Sequence, residues 1–598
     1  MRKLRIVEIC LLLIISIPAF WSLFHTGYFS MHDYQHIARL YLLDKGIHQG
    51  YLYPRWVDTL GFSFGYPLFN FYPPLIYYIA EIFHLLGLSF ILSIKAMIMI
   101  GFFVSAVGMF YFAKRRAGSL GAFLAATLYT YFFYHAVLVY VRGAFAEFFT
   151  LAILPFVFLT FENLWKKPTL KNSVFFAISF ALLILTHPLI AFPSILFLSA
   201  FTAFFLWKRE YRNFTTMKNG IVGAVLALGL SAFFWLPAMI ERKFTLLDKV
   251  QPTELSYYQL HFVCPQQFLY SMWGYGGSIE GCFDGMTFQL GKLHLILFLL
   301  AFLGATTYLI RQKKHDSNSS FYFLYFVLAL FSIFMTTELS NIVWEKIAYL
   351  QYLEFPWRFL SFTAFFLSIS ASFAVYFFNK IFSAIRWRNV ILVITMGMIV
   401  ATVGYYQKYF HPQEYIYKSD TELTGFDEIS WRVSRSSFDF LPAEIQTKKS
   451  NIDTTIPTIT QSDLRQESYG LYKGNGTVEV IKNKMAEKEF TINSTNTNVL
   501  MELWLYTFNF PGWTASLDGN PIVIKDDNPF RLISVTVPLG YHNLRVEFKN
   551  SPVRNIGNTL SVLSVICAIL LLWGRGKFKQ IERGLSAWFD KPLDELKR

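Results

Sequence analysis

Apolar residues fall in long uninterrupted runs along most of this chain, and those runs set the first expectation. Leu, Ile, Val and Phe dominate stretches at about 8–24, 91–113, 119–139, 148–163, 173–190, 191–207, 221–240, 293–310, 321–337, 359–378, 390–407 and 556–574. Most are close to the ~20 residues that an α-helix needs to cross roughly 30 Å of hydrocarbon. They predict an α-helical polytopic membrane protein with about 12 transmembrane helices. A further apolar stretch at 73–89 opens with Pro73-Pro74 and carries Glu81 and His84, which predicts a helix lying against the interface. Counting it as a span would invert the sidedness of every later loop.

From about 408 the period drops towards two. Runs at 476–482, 486–492, 499–506, 513–517, 521–525, 530–537 and 543–549 predict strands, and Asp518-Gly519 between two of them is a hairpin signal. The chain therefore divides into a membrane domain at 1–407, a β-sandwich-like domain at 408–555, and a last helix with a basic tail at 556–598. The loop 25–90 contains an amphipathic stretch from His32 to Asp44, ended by Gly46, and then a turn-rich aromatic run from Gly61 to Tyr72.

The 598 residues are 54% hydrophobic, 19% aromatic and only 15% charged, which excludes a disordered or ordinary soluble protein. A net charge of +14 would suggest a nucleic-acid partner in a soluble chain, but here it divides by loop, and none is expected. Every second gap between runs is basic: Arg2-Lys3-Arg5, Lys114-Arg115-Arg116, Lys166-Lys167-Lys171, Lys208-Arg209-Arg212-Lys218, Arg311-Lys313-Lys314, Lys380-Arg386-Arg388 and the tail from Arg575. The positive-inside rule then puts both termini in the cytoplasm and segments 25–90, 241–292 and 408–555 outside the plasma membrane. No small-x-small cleavage site follows the first run, which reads as an uncleaved helix. Cys10 and Cys567 fall inside predicted helices; Cys264 and Cys282 share an outer loop, where they are either free or joined in a disulfide.

Ionisable groups are nearly absent from the depth of the runs, where a transporter usually keeps them; Lys95 lies about one turn inside the outer end of its helix. The candidates line the outer face: His32, Asp33, His36 and Arg39; Arg55, Asp58, Glu81 and His84; Arg142 and Glu147; His187; and Glu354 and Arg358. Such a ring suits a reaction between a lipid-borne phosphate and a water-side acceptor. Asp33 is the leading candidate for a general base, since glycosyl transfer needs a carboxylate to deprotonate the attacking hydroxyl. The alternative is that Ser30-Met-His-Asp33 is a capping box. Arg142 offers a planar fork for phosphate oxygens, and Glu147 is either a second carboxylate or Arg142's ion-pair partner. Lys95, His187 and Arg358 either contact phosphate or snorkel to the surface. Glu354-Phe-Pro-Trp-Arg358, with Trp357, is a site segment or an interfacial anchor. Tyr72 belongs to an aromatic loop that could stack on sugar rings. Phosphate-loop, Rossmann, zincin and nucleophile-elbow motifs are missing from the sequence. The metal ligands stay unknown; a divalent ion, Mg or Mn, held partly by substrate phosphate remains open.

These features resemble the GT-C superfamily of polytopic glycosyltransferases: a first helix, an outer loop with an early acidic residue in HDYQHI, a PPLIYYIAE helix, then many spans. Within it, MHDYQHIARLYLLDKGIHQGYLYPRW and GYPLFNFYPPLIYY resemble bacterial membrane proteins labelled 6-pyruvoyl-tetrahydropterin-synthase-related, although nothing here resembles the soluble pterin enzyme. FNFPGWTASLDGNPI and VPLGYHNLRVEF resemble the outer domain of YfhO-type membrane proteins. The resemblance implies a polyprenyl-phosphate-linked sugar donor, a cell-envelope glycan, lipid or protein as acceptor, and Asp33 as the catalytic carboxylate. The paired acidic residues that some GT-C enzymes carry are His32-Asp33 here, and the second carboxylate lacks a tight motif. Two other classes stay open: a flippase or exporter of lipid-linked saccharides, and a non-enzymatic envelope assembly factor.

Overall fold

The computed structural model describes residues 2–208, 214–250, 256–312, 316–450, 454–495 and 499–589. Nine helices among them are long and apolar enough to cross a membrane, or ten if the pair Phe214–Leu230 and Ala232–Phe244, bent by 69°, is one span. The bend falls at Ser231, whose hydroxyl turns back to the Ala227 carbonyl at 2.9 Å.

The difference from the expected twelve arises at two places. Phe90–Thr130 is a 41-residue helical element broken at Gly118, which has φ 72° and ψ 178°. Across the break, the Phe110 and Phe123 rings lie 4.7 Å apart, whereas a straight helix would separate them by about 20 Å. The chain turns back there, and the runs predicted at 91–113 and 119–139 are the two arms of a hairpin. The second arm ends early, at Thr130, and the chain continues as Phe133–Ala136 and a π-helical turn, Val137–Val141. Leu170–Thr186 has 17 residues, slightly under a full span, because Pro188 starts the next helix, Pro188–Trp207.

At one end of the bundle, residues from several predicted basic gaps meet. Lys114 pairs with Glu8, Arg116 and Lys166 both reach Glu162, and Lys208 donates to Ser320. Arg209, Arg212, Lys313, Lys314 and the tail from 590 lie outside the described residues.

The other end carries the loop 25–90 and the sheets. The loop's first helix is His36–His48, not the predicted His32 to Asp44. Its start is delayed because the N–H groups of His32 and Asp33 donate to the carbonyls of Val141 and Arg142, at 3.1 and 2.8 Å. It runs through Gly46 because that glycine packs on Pro54, where a Cβ would sit 2.6 Å from the ring. Leu75–Leu85 has 11 residues, about 16 Å of helix and too short to cross hydrocarbon.

Eight antiparallel strands make two sheets in the C-terminal region. One orders Asn520–Ile522, Trp513–Leu517, Gly540–Phe548, Glu487–Ser494 and Gly476–Lys484; the other orders Leu532–Val537, Met501–Phe508 and Tyr469–Lys473. Their buried faces meet, Tyr469 of one lying 5.8 Å from Phe490 of the other. The Asp518-Gly519 hairpin has positive φ at both residues, 51° and 83°, as a type I′ turn requires. These two sheets begin only at Tyr469, after a two-stranded ribbon of Thr447–Lys449 and Thr455–Pro457. The preceding segment wraps the loop 25–90 instead: Tyr28 pairs with Ile416, Phe62 N–H donates to Ser434, and Phe440 N–H donates to the Tyr66 hydroxyl. Trp56 of the loop is buried against Phe510, Trp513 and Phe548 of the sheet region. Burying a large side chain of this kind contributes about 1.5–3 kcal/mol, so the loop is a fixed layer between bundle and sheets.

Candidate functional site

That fixed layer presents Asp33. The helix that follows starts at His36, its N-cap is Gln35, and no side chain caps it, so the capping-box alternative falls away. Ser30 turns to the Glu414 carbonyl. Asp33 is half-buried, and among the described residues its carboxylate accepts no hydrogen bond. Its position is fixed by its backbone bond to Arg142 and by Gly143, whose φ of 67° and close approach to Met31 and the Asp33 carbonyl leave no room for a Cβ.

His36 and Arg39 stand behind Asp33. The His36 Nε2 is 2.5 Å from the Gly143 carbonyl and its Nδ1 is 3.0 Å from the Tyr77 hydroxyl. Burial first, and then the Arg39 charge, bring His36 down to about 3, so the ring is neutral, donating from Nε2 and accepting at Nδ1. Arg39 is 3% exposed, lies 3.9 Å over the Tyr72 ring, and donates to the Ser437 hydroxyl at 3.0 Å. Ser437 leads to Asp439, which sequence reading did not single out. Enclosure in the protein, and then the charge of Glu354, push Asp439 up to about 6; Arg39 acts the other way and Asp33 adds to the rise. Asp33 is thus within electrostatic reach of Asp439, Tyr72 and Arg142.

Arg142 completes the ring from the bundle side. It donates to Glu147 at 2.9 Å and lies 4.4 Å over the Trp357 ring, a cation–π contact worth about 0.5–2 kcal/mol. Glu147, 1% exposed, also accepts from the Tyr134 hydroxyl and pairs with Arg358 at 3.5 Å. Arg358 reaches Glu354 at 2.9 Å and the Leu353 carbonyl at 2.7 Å. Glu354 sits at φ 62°, a conformation that costs a non-glycine residue about 1–2 kcal/mol, and the ion pair offsets that cost. His187 faces Glu147, Arg358 and Arg142.

Several expected members lie elsewhere. The Lys95 ammonium is 1% exposed and is consumed by the carbonyls of His25 and Gly27, so it ties the chain after the first helix and does not join the cluster. Arg55 bonds Asn70, the Phe233 carbonyl and Asn558. His32 contacts the Tyr275 carbonyl at 2.9 Å. Glu81 and His84 belong to a separate group around Asp44, where burial and then the Asp44 charge push Glu81 up to about 7. Cys264 and Cys282 are joined in a disulfide, with Cα atoms 5.5 Å apart. No group of three His, Cys, Asp or Glu arranged to hold a metal ion occurs among the described residues.

The arrangement joins one carboxylate without a hydrogen-bonding partner to three arginines, Arg39 and Arg358 buried and Arg142 partly exposed, with Arg142 and Arg358 held by glutamates. It can take a proton from a hydroxyl at Asp33 and neutralise an anion beside Arg142.

A search of solved structures finds similarity to an oligosaccharyltransferase from Archaeoglobus fulgidus, solved with zinc and sulfate, at 15% identity and a TM-score of 0.38, over 69% of this chain and 54% of that one. No curated protein matches. Residues 69–410 match the family described as the 6-pyruvoyl-tetrahydropterin synthase related domain, a membrane protein family. The match covers more than half of the chain, and the protein belongs to the 6-pyruvoyl-tetrahydropterin synthase related family of membrane proteins.

Proposed function

We propose that this protein is an inverting membrane glycosyltransferase that moves a sugar from a polyprenyl-phosphate donor to a cell-envelope acceptor. The observation that carries the reading is the unbonded carboxylate of Asp33 beside pre-oriented arginines at the sheet-bearing end of the bundle. Asp33 takes the proton of the acceptor hydroxyl as its oxygen attacks the anomeric carbon. The bond from that carbon to the phosphate oxygen breaks, and the phosphate leaves with the electron pair. Arg142 and Arg358 donate hydrogen bonds to its oxygens, held in advance by Glu147 and Glu354, so little reorganisation is needed. Glu147 has both oxygens engaged and is a positioning residue here, not a second base. Asp439 lies within electrostatic reach of both Asp33 and Arg39. Among the described residues the donor set does not make a metal cage by itself.

The clustering of Lys114, Arg116, Lys166 and Lys208 at the end away from Asp33 supports an orientation with the site and the sheets outside and both termini cytoplasmic. The experiment is mass spectrometry of envelope lipids and glycans from cells with the wild-type gene, with Asp33→Asn, and without the gene. The reading expects accumulated prenyl-phosphate sugar and one missing decoration in both mutant strains. Unchanged lipids and glycans in expressing cells would overturn it, and lipid translocation without a new glycosidic bond would favour a flippase.

A further inference from the structure

A polar cavity of about 290 Å3 opens between the loop 25–90 and the sheet region, and none of the Asp33 cluster lines it. Its volume is close to the lower end of the ~300–1,000 Å3 typical of small-molecule sites. Its walls are pinned by hydrogen bonds: Arg465 N–H to Ser63, Phe508 N–H to Phe64, Tyr506 N–H to Ser468 and Met485 N–H to Gln49, at 2.7–3.0 Å. It is therefore a built feature of the domain contact.

Three cations line it. Lys45 is paired with Asp58 at 2.7 Å. Lys488 is 6% exposed and donates only to Asn483, at 2.9 Å; among the described residues no carboxylate lies within ion-pair distance of it. Arg465 is held by the carbonyls of Ser462 and Leu464, at 2.7 and 2.8 Å, and likewise has no carboxylate partner. Buried ammonium groups are normally paired, and the three cations outnumber the two carboxylates of the lining, Asp58 and Glu467, of which Asp58 is taken by Lys45. Burial lowers Lys488 to about 8, with Asp58 acting against the fall and Lys45 adding to it. Tyr506 also lines the cavity and offers an aromatic ring, which a sugar's apolar face can cover.

We infer that this cavity binds a saccharide carrying an anionic group, carboxylate or phosphate, with the anion between Lys488 and Arg465 and the sugar ring against Tyr506. The inference stands on the cavity and not on the transferase reading. It is tested by calorimetric titration of the full-length protein in detergent with digalacturonate, glucose 6-phosphate, maltose and inorganic phosphate. Saturable binding of at least one charged sugar is expected, and the charged sugar that binds names the anion. Binding should weaken at least tenfold in both Lys488→Met and Arg465→Gln. Arg465 is half-buried, its guanidinium held by two backbone carbonyls and 5.9 Å over the Tyr506 ring, so its variant keeps the test valid if Lys488→Met fails to fold. The inference is overturned if neither charged sugar binds, if maltose or inorganic phosphate binds as tightly, or if folded variants bind like the wild type.

Discussion

Two buried ion networks occupy the two ends of one helix, Phe145–Lys166, and they are built alike. At its start, Glu147 accepts from Tyr134 and pairs with Arg142 and Arg358; at its end, Glu162 accepts from Tyr325 and pairs with Arg116 and Lys166. Each arginine also lies over an aromatic ring, Arg142 over Trp357 at 4.4 Å and Arg116 over Phe321 at 3.3 Å. The difference lies around them. At the Glu162 end Glu8 is engaged by Lys114 and Asp316 by Ser319, Tyr308 and Tyr376. At the Glu147 end Asp33 stands unbonded and Asp439 is pushed up to about 6. The two networks are alike as scaffolds, and only the Glu147 network has an unbonded carboxylate beside it.

The comparison breaks first at Asp33. Asp33→Asn should lower transfer by about 10²–10⁴-fold, the range of a general base, with an unchanged melting temperature. Glu162→Gln should do the reverse, melting lower while the folded fraction keeps its specific activity. A melting shift in Asp33→Asn as large as that in Glu162→Gln would erase the distinction.

Next come the arginines. Arg142→Met and Arg116→Met each leave a buried glutamate short of a partner, which costs about 3–5 kcal/mol. Both should melt lower by similar amounts in thermal denaturation. Only Arg142→Met should also lose turnover per folded molecule; equal residual activities would remove Arg142 from the site.

Asp439 gives a smaller, pH-dependent effect. Its folded value lies above the unfolded one, so the protonated form is favoured in the fold, and stability from this group declines as pH rises from about 4 through about 6. Asp439→Asn should therefore melt higher than the wild type at pH 7 to 8 and no differently near pH 4. It should also remove any step near pH 6 from the rate profile. A wild-type step that persists in the variant belongs to another group.

Smallest is Gly118→Ala at the hairpin break. The space around Gly118 is open and only its positive φ is strained, so the cost should be about 1–2 kcal/mol in chemical denaturation, with activity intact. A larger loss would mean that the turn is packed.

The helices and strands were largely legible because burial in lipid and half-burial in a sheet each impose a period. The run of Lys114-Arg115-Arg116 even marked the hairpin break. The strand Tyr469–Lys473 was missed because Gly470 interrupts an otherwise short pattern; there the Tyr506 hydroxyl would meet a Cβ at 2.3 Å. The start of His36–His48 was misplaced because it depends on carbonyls at Val141 and Arg142, more than 100 residues away. The same distance explains the site. Asp33, Arg142, Glu147, Glu354 and Arg358 could be listed from chemistry and loop position, but nothing local distinguishes Asp439 in SSFDF from any surface aspartate. Nor does Lys95 announce that two carbonyls consume it.

The most direct test is donor turnover by purified protein in liposomes containing a polyprenyl-phosphate sugar and an envelope extract as acceptor, read as free polyprenyl phosphate by mass spectrometry. The account predicts release with the wild type and release about 10²–10⁴-fold slower with Asp33→Asn, although both retain the donor lipid on repurification. Equal release from the two proteins would contradict it.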